Sequence, residues 1–252
     1  MRIKKLLLLT LKPFGVKNFL DIQILMRYKY HFFFVIKMLK QSKSQISQDV
    51  FVASELSLWD KKKEPGFFVE FGGCDGLLLS NTFLLEKRYK WHGILAEPAK
   101  IWHEALRQNR TCYLDFRCVD FVSGRQVLFH EAKDGEYSTF AELSAVDVHS
   151  RKREGGSQYM VESISLNDLL LLFKAPTKVS YLSIDTEGSE FEILKSLDFD
   201  YWEFEVITVE HNYTANRSKI HDLLSKNGYE RVFANQTKFD DWYTKSTDLH
   251  SK

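Results

Sequence analysis

Cysteine is scarce. Cys74, Cys112 and Cys118 are the three in 252 residues. They are too few and too irregularly spaced for a disulfide framework, and no C-x-x-C pair offers a metal site. Buried apolar thiols in a reducing compartment account for them, so the expectation is a cytoplasmic protein, with the inner face of the membrane as a variant of that reading. Four prolines and 12 glycines exclude collagen-like, Pro-rich and linker-dominated chains, and no internal repeat is found. Long hydrophobic runs are missing as well. The longest uncharged apolar stretch, Tyr30 to Ile36, is far shorter than the roughly 20 residues of a spanning helix. The apolar run Leu6 to Leu11, broken by Lys12-Pro13, imitates a secretory signal but is too short and lacks a small-residue cleavage site.

Neither sign of charge dominates. A net charge of +1 from 35 basic and 34 acidic residues argues against a nucleic-acid partner. The balance conceals an asymmetry. Residues 1–43 hold ten Lys/Arg against the single acid Asp21, a net of +9, which leaves −8 on the rest. The basic leader carries Phe14, Phe19, Tyr28, Tyr30 and Phe32 to Phe34 among its cations. Two roles suit it: peripheral contact with an anionic membrane, or a helical extension that packs on the acidic body. Its apolar positions do not follow one clean helical face.

The body, residues 44–243, alternates strand and helix. Phe67 to Phe71, Gly93 to Ala96 and Cys112 to Phe116 read as strands, separated by helices over Ser80–Tyr89 and Ala99–Gln108. The rhythm returns with strands at Val179–Ile184 and Val206–Val209 and helices at Ser189–Leu197 and Ala215–Lys226, the last closed by Asn227-Gly228. Tyr229–Phe233 and Phe239–Tyr243 look like a closing antiparallel pair. Such alternation predicts an α/β fold with a parallel sheet and helical crossovers. Residues 117–178 form a loop-rich insertion, a candidate acceptor-gripping region, with one strand at Gln126–His130, a Gly- and charge-rich loop at Arg151–Gly156 and a helix at Leu166–Phe173 capped near Ser165. Residues 244–252 are a polar tail. Trp91, Trp102 and Trp242 read as packing, and His92, His103, His130 and His149 stand alone.

In an open α/β sheet the ligand lies beyond the carboxyl ends of the strands, beside the first crossover. That turn reads Val69-Glu-Phe-Gly-Gly-Cys-Asp-Gly76. Its glycines, Gly72, Gly73 and Gly76, permit close approach to the backbone. Its acids, Glu70 and Asp75, would repel a pyrophosphate, and G-x-G-x-x-G is absent, so a dinucleotide-dependent oxidoreductase is the weaker reading. S-adenosylmethionine carries an ammonium and a sulfonium instead, which suit carboxylates. Glu97, at the end of the second strand, is placed to accept hydrogen bonds from the ribose hydroxyls of either cofactor.

Ser47-Gln-Asp49, Phe68-Val-Glu-Phe-Gly-Gly-Cys-Asp-Gly76, Ser80-Asn-Thr82, Leu85-Glu86, Trp91-His-Gly93, Glu97-Pro98, Tyr181-Leu-Ser-Ile-Asp-Thr-Glu-Gly-Ser-Glu190, Glu210-His-Asn212 and Gly228-Tyr229, taken in order, resemble the FkbM-type methyltransferase family over about residues 44–243. The resemblance implies a Rossmann-like class I methyltransferase domain, a seven-stranded, mostly parallel sheet with helices on both faces, using S-adenosylmethionine. Members are commonly O-methyltransferases of sugars or other secondary metabolites, so the implied acceptor is a hydroxyl of a glycan, a glycan precursor or a small molecule. Implied cofactor contacts are Glu70, Gly72, Gly73, Asp75, Gly76, Asn81, Glu97, Asp120, Asp185 and Glu187. Cys74 departs from the polar residue many members carry in the glycine turn. A non-catalytic, membrane-docked module with a vestigial fold is the rival from outside the enzymes.

A second acidic cluster follows the fourth and fifth parallel strands. Methyl transfer to a hydroxyl needs the acceptor aligned and its proton removed. Asp185, Glu210 and His211 are the competent groups, His211 having the ring best suited to a base near neutrality. Alternatively Asp185, Glu210 and Asn212 hold Mg²⁺, which acidifies the hydroxyl. The metal-free version is preferred at this point, because a histidine is a poor Mg²⁺ ligand. Glu187 and Glu190 also suit a helix N-terminus for electrostatic reasons alone.

Overall fold

The computed structural model describes residues 8–142, 151 and 154–246. His149, residues 1–7 of the leader, Lys152 and Arg153 of the Gly-rich loop and the end of the polar tail lie outside the described residues.

Three strands come first: β1 (Phe67–Phe71), β2 (His92–Ala96) and β3 (Tyr113–Asp115). β4 (Cys118–Asp120), β5 (Gln126–Glu131), β6 (Thr139–Phe140) and β7 (Ser157–Ser165) follow, and the chain closes through β8 (Lys178–Ile184), β9 (Glu203–Glu210), β10 (Tyr229–Val232) and β11 (Asp240–Lys245). Seven of these build the main sheet in the order β10-β11-β9-β8-β1-β2-β3. β3, β2, β1, β8 and β9 run parallel, and β11 pairs antiparallel with both β9 and β10. The order reverses between β1 and β8, which makes the switch point a crevice at their carboxyl ends.

The helices are α1 (Phe19–Arg27), α2 (Phe32–Leu39), α3 (Gln48–Glu55), α4 (Phe83–Tyr89), α5 (His103–Asn109), α6 (Leu166–Leu172), α7 (Glu190–Ser196) and α8 (Asn216–Lys226). Strand residues alternate between two helical layers, as a period of two requires. Phe68, Leu95, Tyr181, Val206 and Trp242 pack with side chains of α1 to α5. Val69, Ile94, Leu182, Ile207 and Tyr243 pack with those of α6 to α8. Both sheet faces are therefore covered, and the central strands read as apolar runs for that reason.

The leader is part of the first layer. A 3-10 turn at Lys29–His31 separates α1 from α2 and resets the helical phase, which is why no single apolar face runs through the sequence. α1 buries Leu20, Ile22, Ile24 and Leu25, and α2 buries Val35, Ile36, Met38 and Leu39. Asn18 and Asp21 form a reciprocal capping box at the start of α1. Asp21 also accepts the Ser47 hydroxyl at 2.7 Å, so the leader's one acid ties it to the entry of α3.

The insertion holds more order than its composition suggests. β4 to β7 form a second sheet in the order β4-β7-β5-β6. β7 was hidden because only one of its edges is apolar: Ser157, Gln158, Met160 and Glu162 face solvent while Val161, Ser163 and Ile164 turn inward. The helix expected from Ser80 begins at Phe83, because Ser80, Asn81 and Thr82 are drawn to Glu70.

Candidate active site

The carboxyl ends of β1, β2, β8 and β9 open into a cavity whose empty volume, counting its solvent-open mouth, is about 1280 Å³. Gly72, Asn81, Glu97, Asp185, Glu187, Glu210 and Asn212 line it. The turns that follow β1, β8 and β9 each hold a non-glycine residue in the left-handed region: Cys74 (φ 46), Glu187 (φ 56) and Asn212 (φ 43). Asparagine tolerates this conformation, whereas cysteine and glutamate do so at a cost of order 1–3 kcal/mol each. Strain after three successive strand ends marks the crevice as the place where backbone shape matters. Gly72 (φ 72) needs to be glycine for a second reason, since a Cβ there would lie 2.1 Å from the Asp185 carbonyl oxygen.

Glu97 and Asn81 keep hydrogen-bonding capacity for a cofactor. Glu97 accepts the backbone N–H groups of Cys74 (3.1 Å) and Ala99 (2.9 Å), one bond on each carboxylate oxygen, leaving lone pairs toward the cavity. Burial pushes its carboxyl up to about 8, against the pull of those two N–H groups. Asn81 donates to the Ser183 hydroxyl at 2.9 Å, and its buried Oδ1 has no partner. An orphaned acceptor in a cavity wall calls for a donor. Cys74 lies beside them as a neutral thiol, its pKa pushed up by burial and then by Glu97 and Asp185. Phe129, Phe140 and Thr139 of the small sheet complete the wall, and Thr139 Oγ1 donates to the Glu187 carbonyl at 3.0 Å.

Asp185 and Glu210, at the ends of the adjacent strands β8 and β9, hydrogen-bond to each other. Desolvation raises both carboxyls above the ordinary carboxylate range, and the charge of Asp185 raises Glu210 further. Each therefore holds its proton to higher pH than an exposed carboxyl does. Glu187 stands close by: one oxygen from each of Asp185, Glu187 and Glu210 lies within 4.8 Å of the others.

Seven of the expected site residues are held by other contacts. Glu70 is buried in the core network, accepting the Asn81 N–H (2.6 Å), the Ser80 and Thr82 hydroxyls, and Arg110 (3.2 Å). Asp75 turns back on its own loop to accept Leu77 and Leu78 N–H. Gly73 and Gly76 are small because Leu95 and Arg110 press against them, at 2.8 and 2.6 Å from a built Cβ. Asp120 pairs with Arg125 at 3.0 Å. His211 is the main correction. Its Nδ1 accepts the Tyr213 N–H at 3.0 Å, its Nε2 faces Asp241 at 3.8 Å, and burial lowers its pKa, so the ring is neutral and outside the cavity wall. Asn212 changes part as well. Its amide N–H₂ points at Glu210 (2.8 Å) and Glu187 (3.3 Å), so it steadies carboxylates, and Glu187 replaces it in the cluster. Glu190 accepts Thr186 and Gly188 N–H at the start of α7, a structural use.

Sequence reasoning missed Gln48 and Asp240. Both line the cavity and join by a 3.0 Å hydrogen bond. Gln48 lies within Ser47-Gln-Asp49, a run whose chemistry gave no hint of a site.

A model of the methyltransferase FkbM domain matches residues 70–231, the stretch from the end of β1 to β10 that carries the crevice. The chain belongs to the FkbM methyltransferase family. Among solved structures, a candidate RNA methyltransferase from Pyrococcus horikoshii aligns with 13% identity, 79% of this chain, 84% of that chain and a TM-score of 0.35. A fibrillarin/Nop5p complex aligns with 11% identity, 75% and 78% coverage and the same TM-score. The fold of this methyltransferase rests on its own strand order rather than on either likeness. No curated protein matches the chain.

Proposed function

We propose that this methyltransferase uses S-adenosylmethionine to methylate a hydroxyl of a sugar or glycan precursor, with the Asp185–Glu210 pair as the proton acceptor. The cofactor supplies, when bound, a methyl group made electrophilic by its sulfonium. The donor set suits it. Glu97 offers carboxyl oxygens to ribose hydroxyls, and the partnerless Asn81 Oδ1 offers an acceptor to an ammonium. Phe129 and Phe140 give the adenine an apolar wall. The observation that carries the proposal is the pair of carboxyls, Asp185 and Glu210, brought together on the cavity wall at the ends of β8 and β9. An alcohol is a weak acid, and a carboxylate whose affinity for protons has been raised by desolvation is a competent base near neutrality. Asn212 holds Glu210 in place from the far side.

Purified protein incubated with methyl-labelled cofactor and a panel of sugars should place label in an alkali-stable ether. Label only in alkali-labile esters, or calorimetric binding of NAD(H) with no response to S-adenosylmethionine, overturns the reading. Glu97→Ala should weaken cofactor binding by about 1–3 kcal/mol through lost hydrogen bonds, read by calorimetry. Unchanged affinity removes Glu97 from the cofactor site.

The three-carboxylate cluster supports a second reading. Asp185, Glu187 and Glu210 are hard oxygen ligands close enough to share a divalent cation, which would lower the pKa of a bound hydroxyl. Under this reading EDTA abolishes turnover and Mg²⁺ restores it. Full activity after exhaustive chelation leaves the carboxylate pair as the base.

A further inference from the structure

We propose that the outer face of α2 and the turn before α1 form a docking surface for an anionic phospholipid bilayer, independent of which acceptor the cavity takes. Folding buries the apolar sides of α1 and α2 against the body and so decides what the leader leaves outside. Along α2, Phe33, Lys37 and Lys40 are exposed, and their spacing of four and three residues sets them on one stripe. The Phe33 ring is 85% exposed. Phe14 extends the stripe, with the Lys40 ammonium 5.6 Å from its ring centroid. Lys12, Lys17 and Lys40 stand around one shallow groove lined also by Leu9, Val16 and Leu39.

The charge on this face is of one sign. The leader's single acid, Asp21, is buried and engaged by Asn18 and Ser47. Among the described residues, no carboxylate forms an ion pair with Lys12, Lys17, Lys37 or Lys40, whereas Arg27 has Glu55 at 3.3 Å. Lysines without a carboxylate partner beside exposed phenylalanines suit an interface that is anionic at the headgroups and apolar just beneath. Nucleic acid would answer the lysines, but its phosphates give no place to an exposed aliphatic and benzyl surface. The remaining chain carries a net −8, so the charge distribution favours approach to an anionic bilayer through the leader. α2 packs on α3, whose Gln48 reaches the cavity wall, so the docked face and the site belong to one helical layer.

The test is co-sedimentation of the full-length protein with sucrose-loaded vesicles of phosphatidylcholine alone and of phosphatidylcholine mixed equally with phosphatidylglycerol. The protein should pellet with the mixed vesicles, remain in the supernatant with phosphatidylcholine, and be released by high salt. Lys37→Glu/Lys40→Glu should weaken vesicle partitioning at least about tenfold, and Phe33→Ser should weaken it several-fold while keeping the salt dependence. Thermal midpoint and cofactor affinity should stay those of the wild type. Absence of pelleting with the anionic vesicles, equal pelleting with neutral ones, or charge reversal without effect overturns the proposal. So does binding to RNA that displaces the protein from vesicles at equal phosphate.

Discussion

Glu210→Gln should lower turnover roughly 10²–10⁴-fold, the range expected when a positioned acid–base group is lost, with cofactor affinity changed far less. The amide keeps the size of the side chain and its place beside Asn212, but it cannot take a proton. Two further readouts separate loss of a base from loss of shape. In the wild type, desolvation and then the charge of Asp185 raise the Glu210 carboxyl, so turnover should climb with pH along a limb that lies above the ordinary carboxylate range, as the pair deprotonates. A limb at ordinary carboxylate values, or none, removes the pair from proton transfer. Glu210→Asp retains a carboxylate one methylene short and should recover part of the rate; a variant at wild-type turnover in either substitution defeats the assignment. His211 supplies the contrast. Its ring is neutral and turned toward Asp241, so the pH limb should survive in His211→Asn even where stability falls.

The sheet was legible because its signals are local. Phe67 to Phe71 and Val179 to Ile184 are short apolar runs that end in glycine or acid, and the helix at Ala215–Lys226 ends in Asn227-Gly228, with Gly228 at φ 79. The site was legible only where a residue's position along a strand fixes its direction: Glu97, Asp185 and Glu210 all terminate strands whose ends face the crevice. The failures are side chains whose partners, near or far in sequence, are not revealed by a residue's own position along a strand. Glu70 occupies a strand position fit for a ligand, yet Arg110, 40 residues on, claims it. Asp120 is claimed by Arg125. His211 follows Glu210 immediately, and the period of two that brings Glu210 into the cavity sends its neighbour to the other side. Gln48 was invisible for the converse reason, since only the return of β11 brings Asp240 to it. Packing of the leader on the body stayed one of two open readings because one 3-10 turn interrupts a periodicity that each short helix keeps.

Arg110→Met should destabilise the protein by about 3–5 kcal/mol, the cost of leaving buried charges without their counterion. The guanidinium side chain has no exposed surface. Its Nε meets Glu86 at 2.6 Å, one terminal nitrogen meets Glu70 at 3.2 Å, the Gly76 carbonyl at 3.3 Å and the Ser80 hydroxyl at 3.2 Å, and the other meets Thr82 at 2.7 Å. One side chain thus binds β1, the loop beneath the cavity and α4. The sign of the pH dependence identifies the mechanism. Burial alone would raise the Glu86 carboxyl, but Arg110 and Thr111 outweigh it and hold the value at about 2. A depressed value means stability that is fully present above the unfolded carboxyl pKa, near 4.5, and lost as pH falls toward 2. In Arg110→Met that contribution disappears and Glu86 protonates readily, so the gap between variant and wild type should be widest near pH 7 and shrink as the pH falls below about 5. Urea unfolding across that range measures it, and Arg110→Lys, which restores one charge without the planar fork, should recover only part of the loss. A gap independent of pH would mean that Arg110 acts through packing alone, and a gap below about 1 kcal/mol, the scale of an exposed pair, would mean that the network is solvated. Because Ser80 and Asn81 are fixed through Glu70, the same variant should also weaken cofactor binding in the fraction that remains folded, through Asn81 and not through any contact of Arg110 with the cavity.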